Sequence, residues 1–184
     1  WPTNPANAGD NSTEQSQKAN VQAEFRTAAK QKRLAKQREL IRQYPQWFSA
    51  NDATWLDVGE QQEIIATAQA STIDDTRALQ TANAQLEQVL AAHPDNIELQ
   101  KTGLPSILVA AVRVSEPKPG IVAYQKLQAI EPNIPAETKA LYADALLTNK
   151  QPHQALKIMA SIPKEQLTDE MQDRVIAAYA DMGY

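Results

Sequence analysis

Apolar side chains recur at helical spacing from Thr76 onward, and prolines interrupt the pattern. The first stretch ends at Pro94, whose ring cannot continue a helix and disfavours helical backbone at the residue before it. A second stretch, residues 120–133, ends in the same way at Pro132. A third follows Pro152, which suits the first turn of a helix. The pattern therefore predicts a series of helices separated by proline-containing turns.

Small residues recur within these helices at a spacing in the mid-thirties, at Ala82, Gly120 and Ala155. Ala143 stands on the other side of a polar turn from Ala155, and larger apolar residues surround both. Where two antiparallel helices cross closely, each needs a residue without bulk at the contact. We therefore expect Ala143 and Ala155 to be the contact points of one helix pair, and the period predicts a solenoid of such pairs.

Composition supports a helical chain. The 184 residues are 42% hydrophobic but only 5% aromatic, and they include 5 glycines, which argues against an all-β protein. Ala, Gln, Leu and Lys supply much of the chain, and these residues lose little rotamer freedom in a helix. The predicted fold class is all-α.

The N-terminal part differs from the helix pairs. Residues 1–20 are rich in Asn, Ser and Pro and could bury almost nothing, so we expect a flexible lead-in. Residues 21–49 contain a basic amphipathic helix that ends near Tyr44, and residues 44–75 carry carboxylates but no Lys or Arg. We expect these oppositely charged segments to face each other. Binding to nucleic acid or to an anionic lipid surface is disfavoured by the net charge of −4, although the role of the basic helix stays open.

Candidate catalytic chemistry is sparse. The chain has no cysteine, and both histidines, His93 and His153, lie at predicted helix boundaries without neighbours at metal-ligand spacing. Asp74 and Asp75 stand at a predicted helix start, where capping explains them better than acid–base chemistry. Glycine-rich phosphate loops are missing. We therefore predict a protein that is not an enzyme and that uses no metal and no cofactor.

The segment LYADALLTNKQPHQALKIM resembles the tetratricopeptide repeat, a helix pair of about 34 residues. In that pattern Ala143 and Ala155 occupy the small positions of the two helices, while Leu146 and Met159 occupy the large ones. Most consensus glycines and tryptophans are missing, which marks the repeats as divergent. The resemblance implies a right-handed α-solenoid of tetratricopeptide-like helix pairs over residues 50–184.

The order of the segments is also similar to the periplasmic repeat region of the PgaA family, outer-membrane exporters of poly-β-1,6-N-acetylglucosamine. The likeness rests on a long helix after an acidic turn, an intervening helix pair and the segment quoted above. It implies a periplasmic scaffold that binds the partly deacetylated polymer, its periplasmic deacetylase, or both. The alternative is a generic protein docking scaffold with no saccharide ligand.

The chain stops at VIAAYADMGY, which matches the first helix of a repeat and its turn glycine, Gly183. A complete array is expected to cap its last repeat. We therefore expect a truncated last repeat and a fragment of a longer chain, which the resemblance completes with a membrane barrel.

The same resemblance implies that ligand contacts come from the first helix of each pair. We counted the family's ligand-contacting positions along the two helices predicted to start at Ala136 and Asp169. Five carboxylates fall at these positions. These are Glu137, Asp144, Glu170, Asp173 and Asp181. The pair predicted to start at Lys101 adds one cation, Arg113. This inner face would be acidic and would favour glucosamine units exposed by deacetylation, although an ordinary solvated helix face explains the carboxylates equally well.

Overall fold

The computed structural model describes residues 5–183, with side chains from Ser12 onward. Within this range the regular structure is all-α, with nine α-helices, two short 3-10 turns and no strand. The helices are α1 (Pro5–Lys30), α2 (Leu34–Gln43), α3 (Ala50–Thr67), α4 (Ile73–Ala92), α5 (Ile97–Arg113), α6 (Pro117–Ile130), α7 (Ala136–Thr148), α8 (Pro152–Ala160) and α9 (Asp169–Asp181). Two compact units can be distinguished, Trp1–Glu60 and Gln61–Tyr184, and the division falls within α3. The predicted all-α class is thus confirmed.

Helix α1 corrects the expected start of regular structure. The sequence predicts a flexible lead-in over residues 1–20, but the helix begins at Pro5; residues 1–4 lie outside the described residues. Side chains 12–20 are all exposed, so this part buries almost nothing and its helix rests on local propensity. The single basic helix expected over residues 21–43 is two helices, because the chain turns at Lys32 with a φ of 55°.

The first unit joins its basic and acidic segments through one arginine. Arg38 on α2 donates from Nη2 to Asp57 Oδ1 over 2.6 Å, and it also donates to both carboxylate oxygens of Glu60. The expected pairing of the two segments is therefore present at Arg38. Lys36 and Arg42 instead pair with carboxylates of the basic segment itself.

Tyr44 and Trp47 stack with ring centroids 4.8 Å apart at the turn that follows α2. The stacked and partly buried indole is accounted for by packing.

The second unit is built from closely packed helix pairs. α5 and α6 run antiparallel, since Gly120 near the start of α6 lies against Leu108 and Ala111 near the end of α5. A Cβ atom added at Gly120 would lie 3.0 Å from Ala111 Cβ, so the two backbones approach about as closely as a glycine allows. In the next pair, Ala143 of α7 and Ala155 of α8 are both fully buried in one apolar cluster, as expected for contact points.

Helix α7 lies at the centre of the second unit's contacts. It packs against α5, α6, α8 and α9. Between α6 and α7, the rings of Tyr124 and Tyr142 stack with centroids 3.8 Å apart and fill the interior. The carboxylates predicted on α7 and α9 are therefore carried by two helices that are in contact with each other.

Three first helices end in the same turn. Ser115, Lys150 and Gly183 follow α5, α7 and α9 with φ angles of 57°, 62° and 83°. After α5 and α7 the backbone closes the Schellman hydrogen-bond pattern: Glu116 N–H donates to Ala111 C=O, and Gln151 N–H donates to Leu146 C=O. The same turn follows α1, where Lys32 has a φ of 55° and Arg33 N–H donates to Ala28 C=O, so it is a common way for helices of this chain to end.

Candidate functional site

The helix boundaries place the predicted acidic residues in the register from which they were selected. α7 begins at Ala136 and α9 begins at Asp169, which are the two predicted starting points. Thr168 fixes the start of α9, because its side-chain oxygen accepts a hydrogen bond from Met171 N–H over 3.2 Å. Pro135 precedes α7 in extended backbone.

Four of the five candidate carboxylates are exposed: Glu137, Glu170, Asp173 and Asp181. Asp144 differs. Its Oδ1 lies 2.6 Å from Arg174 Nε in an ion pair, and the two side chains are only 24% and 23% exposed. The charge of Asp144 is therefore balanced within the chain, across the α7–α9 contact.

Burial dominates the electrostatics of Asp144. Loss of solvation raises the pKa of its carboxyl group, the hydrogen bond and charge of Arg174 act in the opposite direction, and the negative charge of Glu170 raises the pKa further. Asp144, Arg174 and Glu170 thus form one electrostatic cluster, in which the cation lies beside two carboxylates.

The other candidates flank this cluster at different distances. Glu137 precedes Asp144 by two turns of α7, about 10 Å along the axis, and Asp181 follows Glu170 by about 16 Å along α9. Glu170, Asp173 and Asp181 share one side of α9 by helical spacing. The structure therefore places Glu170 near enough to Asp144 to influence its charge, while Glu137, Asp173 and Asp181 lie exposed along the same two helices.

Sequence reasoning missed Arg174. Arg174 does not fall at any of the ligand-contacting positions taken from the family. Its positive charge was therefore left out when the predicted surface was described as acidic. The available signal was its spacing: Arg174 lies four residues after Glu170 and therefore on the same side of α9.

Arg113 does not contribute a free cation to this face. Its guanidinium Nη1 donates to the carbonyl oxygens of Ile65 and Ala68 at the end of α3, the second over 3.4 Å. A cation at a helix C-terminus satisfies unpaired carbonyls and complements the helix dipole. The role expected from the sequence is thus corrected to a helix cap.

A second candidate surface is an apolar groove between α4 and α6, with α5 as its floor. Its volume is about 690 Å³. The side chains that line it are Glu87, Leu90, Ala91, Pro94, Ile97, Gln100, Leu104, Ile107, Lys118, Pro119, Val122, Ala123, Lys126, Ala129 and Ile130. Sequence reasoning missed the groove because its apolar side chains have the spacing of ordinary core residues.

Residues with possible catalytic roles occupy structural positions. His93 follows α4 and His153 lies in the first turn of α8, both exposed. Asp74 and Asp75 lie in the first turn of α4, but the capping side chain is Thr72, which accepts from Asp75 N–H over 3.1 Å.

Across residues 5–183, acidic and histidine side chains do not assemble in groups of three that could hold a metal ion. Within the same residues, each helix is too short or too polar to cross a membrane.

Comparisons with known proteins return no family model that matches the chain, and neither a curated protein nor a solved structure is significantly similar to it.

Proposed function

We propose that the chain is a non-catalytic binding scaffold, a right-handed α-solenoid of tetratricopeptide-like helix pairs. Two observations support the repeat: α7 packs against both α5 and α9, and each of these three helices is followed by a turn residue with positive φ. An array of this kind presents one continuous surface formed by its first helices.

The ligand we propose for this surface is partly deacetylated poly-N-acetylglucosamine, which is cationic where acetyl groups have been removed. The observation that carries the proposal is the row of exposed carboxylates on α7 and α9: Glu137, Glu170, Asp173 and Asp181. An extended row suits a polymer better than a small ligand, because successive sugar units can each meet one carboxylate. In this scheme the chain acts in the periplasm as part of an exopolysaccharide exporter.

Arg174 and Asp144 have a different role in this proposal. Their ion pair fixes α9 against α7 and so sets the spacing of the two carboxylate-bearing helices. Ligand ammonium groups then bind the four exposed carboxylates, where a solvated pair contributes about 0–1 kcal/mol. Useful affinity must therefore come from several pairs along one polymer chain.

The test is an NMR titration with glucosamine oligomers of increasing length, partly deacetylated or fully acetylated. The triple variant Glu137→Gln, Asp173→Asn and Asp181→Asn removes charge and keeps shape, and we expect about a tenfold loss of affinity for deacetylated oligomers. The matched control removes three exposed carboxylates elsewhere: Glu63→Gln, Asp95→Asn and Glu165→Gln. Equal shifts with acetylated oligomers, or equal losses in the two triple variants, would refute the saccharide proposal.

The second candidate function is protein docking, with the polymer's deacetylase as one possible partner. The apolar groove between α4 and α6 favours this function, since a strongly hydrated polysaccharide gains little from an aliphatic surface.

A further inference from the structure

We propose that the groove between α4 and α6 binds an amphipathic α-helix of a partner protein, one that carries acidic residues along one edge of its apolar face. The groove uses the α4 and α6 walls, whereas the polymer proposal uses exposed carboxylates of α7 and α9. Either proposal can therefore fail without the other.

The groove is open because of the side chains that line it. On the side of α6 that faces α7, the stacked rings of Tyr124 and Tyr142 fill the space between helices. The side chains that line the groove include no aromatic ring. Small residues on its two walls, Ala91 on α4 and Ala123 and Ala129 on α6, leave room above the α5 floor. A space of about 690 Å³ results, with apolar walls.

The size of the groove fits a short helix. Its α6 wall extends from Lys118 to Ile130, which corresponds to about 18 Å along the axis, or between three and four helical turns. Ile97 and Val122 are 43% and 49% exposed, so apolar surface is available to a partner. A helix that buries residues at positions i, i+3 or i+4, and i+7 makes this kind of contact.

The charges of the groove select the partner. Lys118 and Lys126 lie eight residues apart on the α6 wall, about 12 Å along the helix, and both are exposed. Neither takes part in the ion pairs found among the described residues. A partner helix with two carboxylates seven or eight residues apart would place one beside each ammonium group. Glu87 on the α4 wall would accommodate a cation on the opposite edge.

The direct probe is a labelled 14-residue helical peptide with leucines at i, i+3, i+7 and i+10 and two glutamates placed to meet Lys118 and Lys126. A second peptide carries lysines in place of the glutamates. Fluorescence anisotropy with the whole chain should give at least tenfold tighter binding of the acidic peptide. The double variant Lys118→Glu and Lys126→Glu should reverse this preference, an outcome that loss of folding cannot produce.

Apolar contact is tested with Val122→Asp, which should weaken binding of the acidic peptide at least tenfold. Its control is Ile73→Asp, because Ile73 is 76% exposed and lies outside the groove. The proposal is wrong if the acidic peptide does not bind at millimolar concentration, or if both peptides bind equally well. It is also wrong if sedimentation shows a dimer that Val122→Asp dissociates, since a second copy would then occupy the groove.

Discussion

Arg174 on α9 forms an ion pair with Asp144 on α7, with Nε and Oδ1 2.6 Å apart, and this pair joins the two helices. The pair is largely removed from solvent, and the pKa of Asp144 is nevertheless raised, because loss of solvation outweighs the attraction of Arg174. The contact therefore positions α9 at an electrostatic cost.

This cost predicts a pH dependence of stability. Because the pKa of Asp144 is raised in the folded state, the folded chain holds this proton at pH values where the unfolded chain has released it. Protonated Asp144 therefore contributes to the free energy of unfolding below the pKa of the unfolded state. This contribution is lost as pH rises through the higher pKa of the folded state. Urea unfolding of the parent and of Asp144→Asn should show that the variant loses less stability than the parent as pH rises above about 4, the ordinary pKa of Asp.

Arg174→Gln is the complementary variant. It leaves the half-buried carboxylate without its cation, so the pKa of Asp144 should rise further and stability at neutral pH should fall by about 1 kcal/mol. Arg77→Gln, at an exposed position on α4, serves as the matched loss of one cation. Identical pH profiles for the parent and both Asp144 and Arg174 variants would contradict the assigned electrostatics.

The stacked tyrosines predict a separate transition at alkaline pH. Burial raises the pKa of Tyr124 above 10.0, and the neighbouring Tyr142 raises it further. Above about pH 10 the unfolded chain ionises this phenol more readily than the folded chain does, so stability should fall with rising pH. Tyr124→Phe keeps a ring for stacking and removes the ionisable group. Chemical unfolding followed at several alkaline pH values should therefore show a shallower decline for the variant, and an equal decline would exclude Tyr124 as the cause.

The α7–α8 contact predicts a strong dependence on side-chain size. Ala155 is fully buried where α8 meets α7, so Ala155→Leu should force the helices apart and destabilise the chain by about 1–3 kcal/mol. Lys157→Leu adds a leucine at an exposed position of the same helix and should have little effect. Thermal unfolding compares the two variants, and an unchanged melting temperature for Ala155→Leu would argue against the close contact.

The helices of the second half could be predicted well because periodic apolar positions and prolines mark their faces and ends. The starts of α7 and α9 agree to the residue with the positions taken from the tetratricopeptide resemblance, whereas α5 starts at Ile97, four residues before the predicted start at Lys101. The first part of α1 was missed because residues 12–20 are all exposed and leave no apolar pattern. Helix propensity alone supports the helix over residues 12–20, and this signal is weak beside the Asn-, Ser- and Pro-rich composition of residues 1–20.

The candidate site was less predictable, since it depends on which side chains meet. Periodicity placed Asp144 on α7, but only the packing of α9 on α7 shows that Arg174 reaches it. Likewise, Arg113 has the spacing of a surface residue, and its role as a helix cap depends on the position of the end of α3. Pairings between distant residues need tertiary geometry, which a single sequence does not encode in a readable pattern.

The turns after the first helices give the last prediction. Ser115 and Lys150 adopt left-handed backbone, with φ angles of 57° and 62°, at the position where Gly183 follows α9. A side chain in this conformation costs roughly 1 kcal/mol through contact of its Cβ with the backbone, and glycine avoids that contact. Because the Schellman hydrogen bonds involve backbone atoms only, glycine can retain them. Ser115→Gly and Lys150→Gly should therefore each stabilise the chain by about 0.5–1 kcal/mol, and the two gains should add because the turns are separate.

Thr148→Gly, inside the last turn of α7, is the control and should destabilise, since glycine there loses helix propensity without relieving strain. Thermal and urea unfolding measure all four variants, including the double glycine variant. Destabilisation by glycine at both Ser115 and Lys150 would mean that these residues do not hold left-handed backbone in solution.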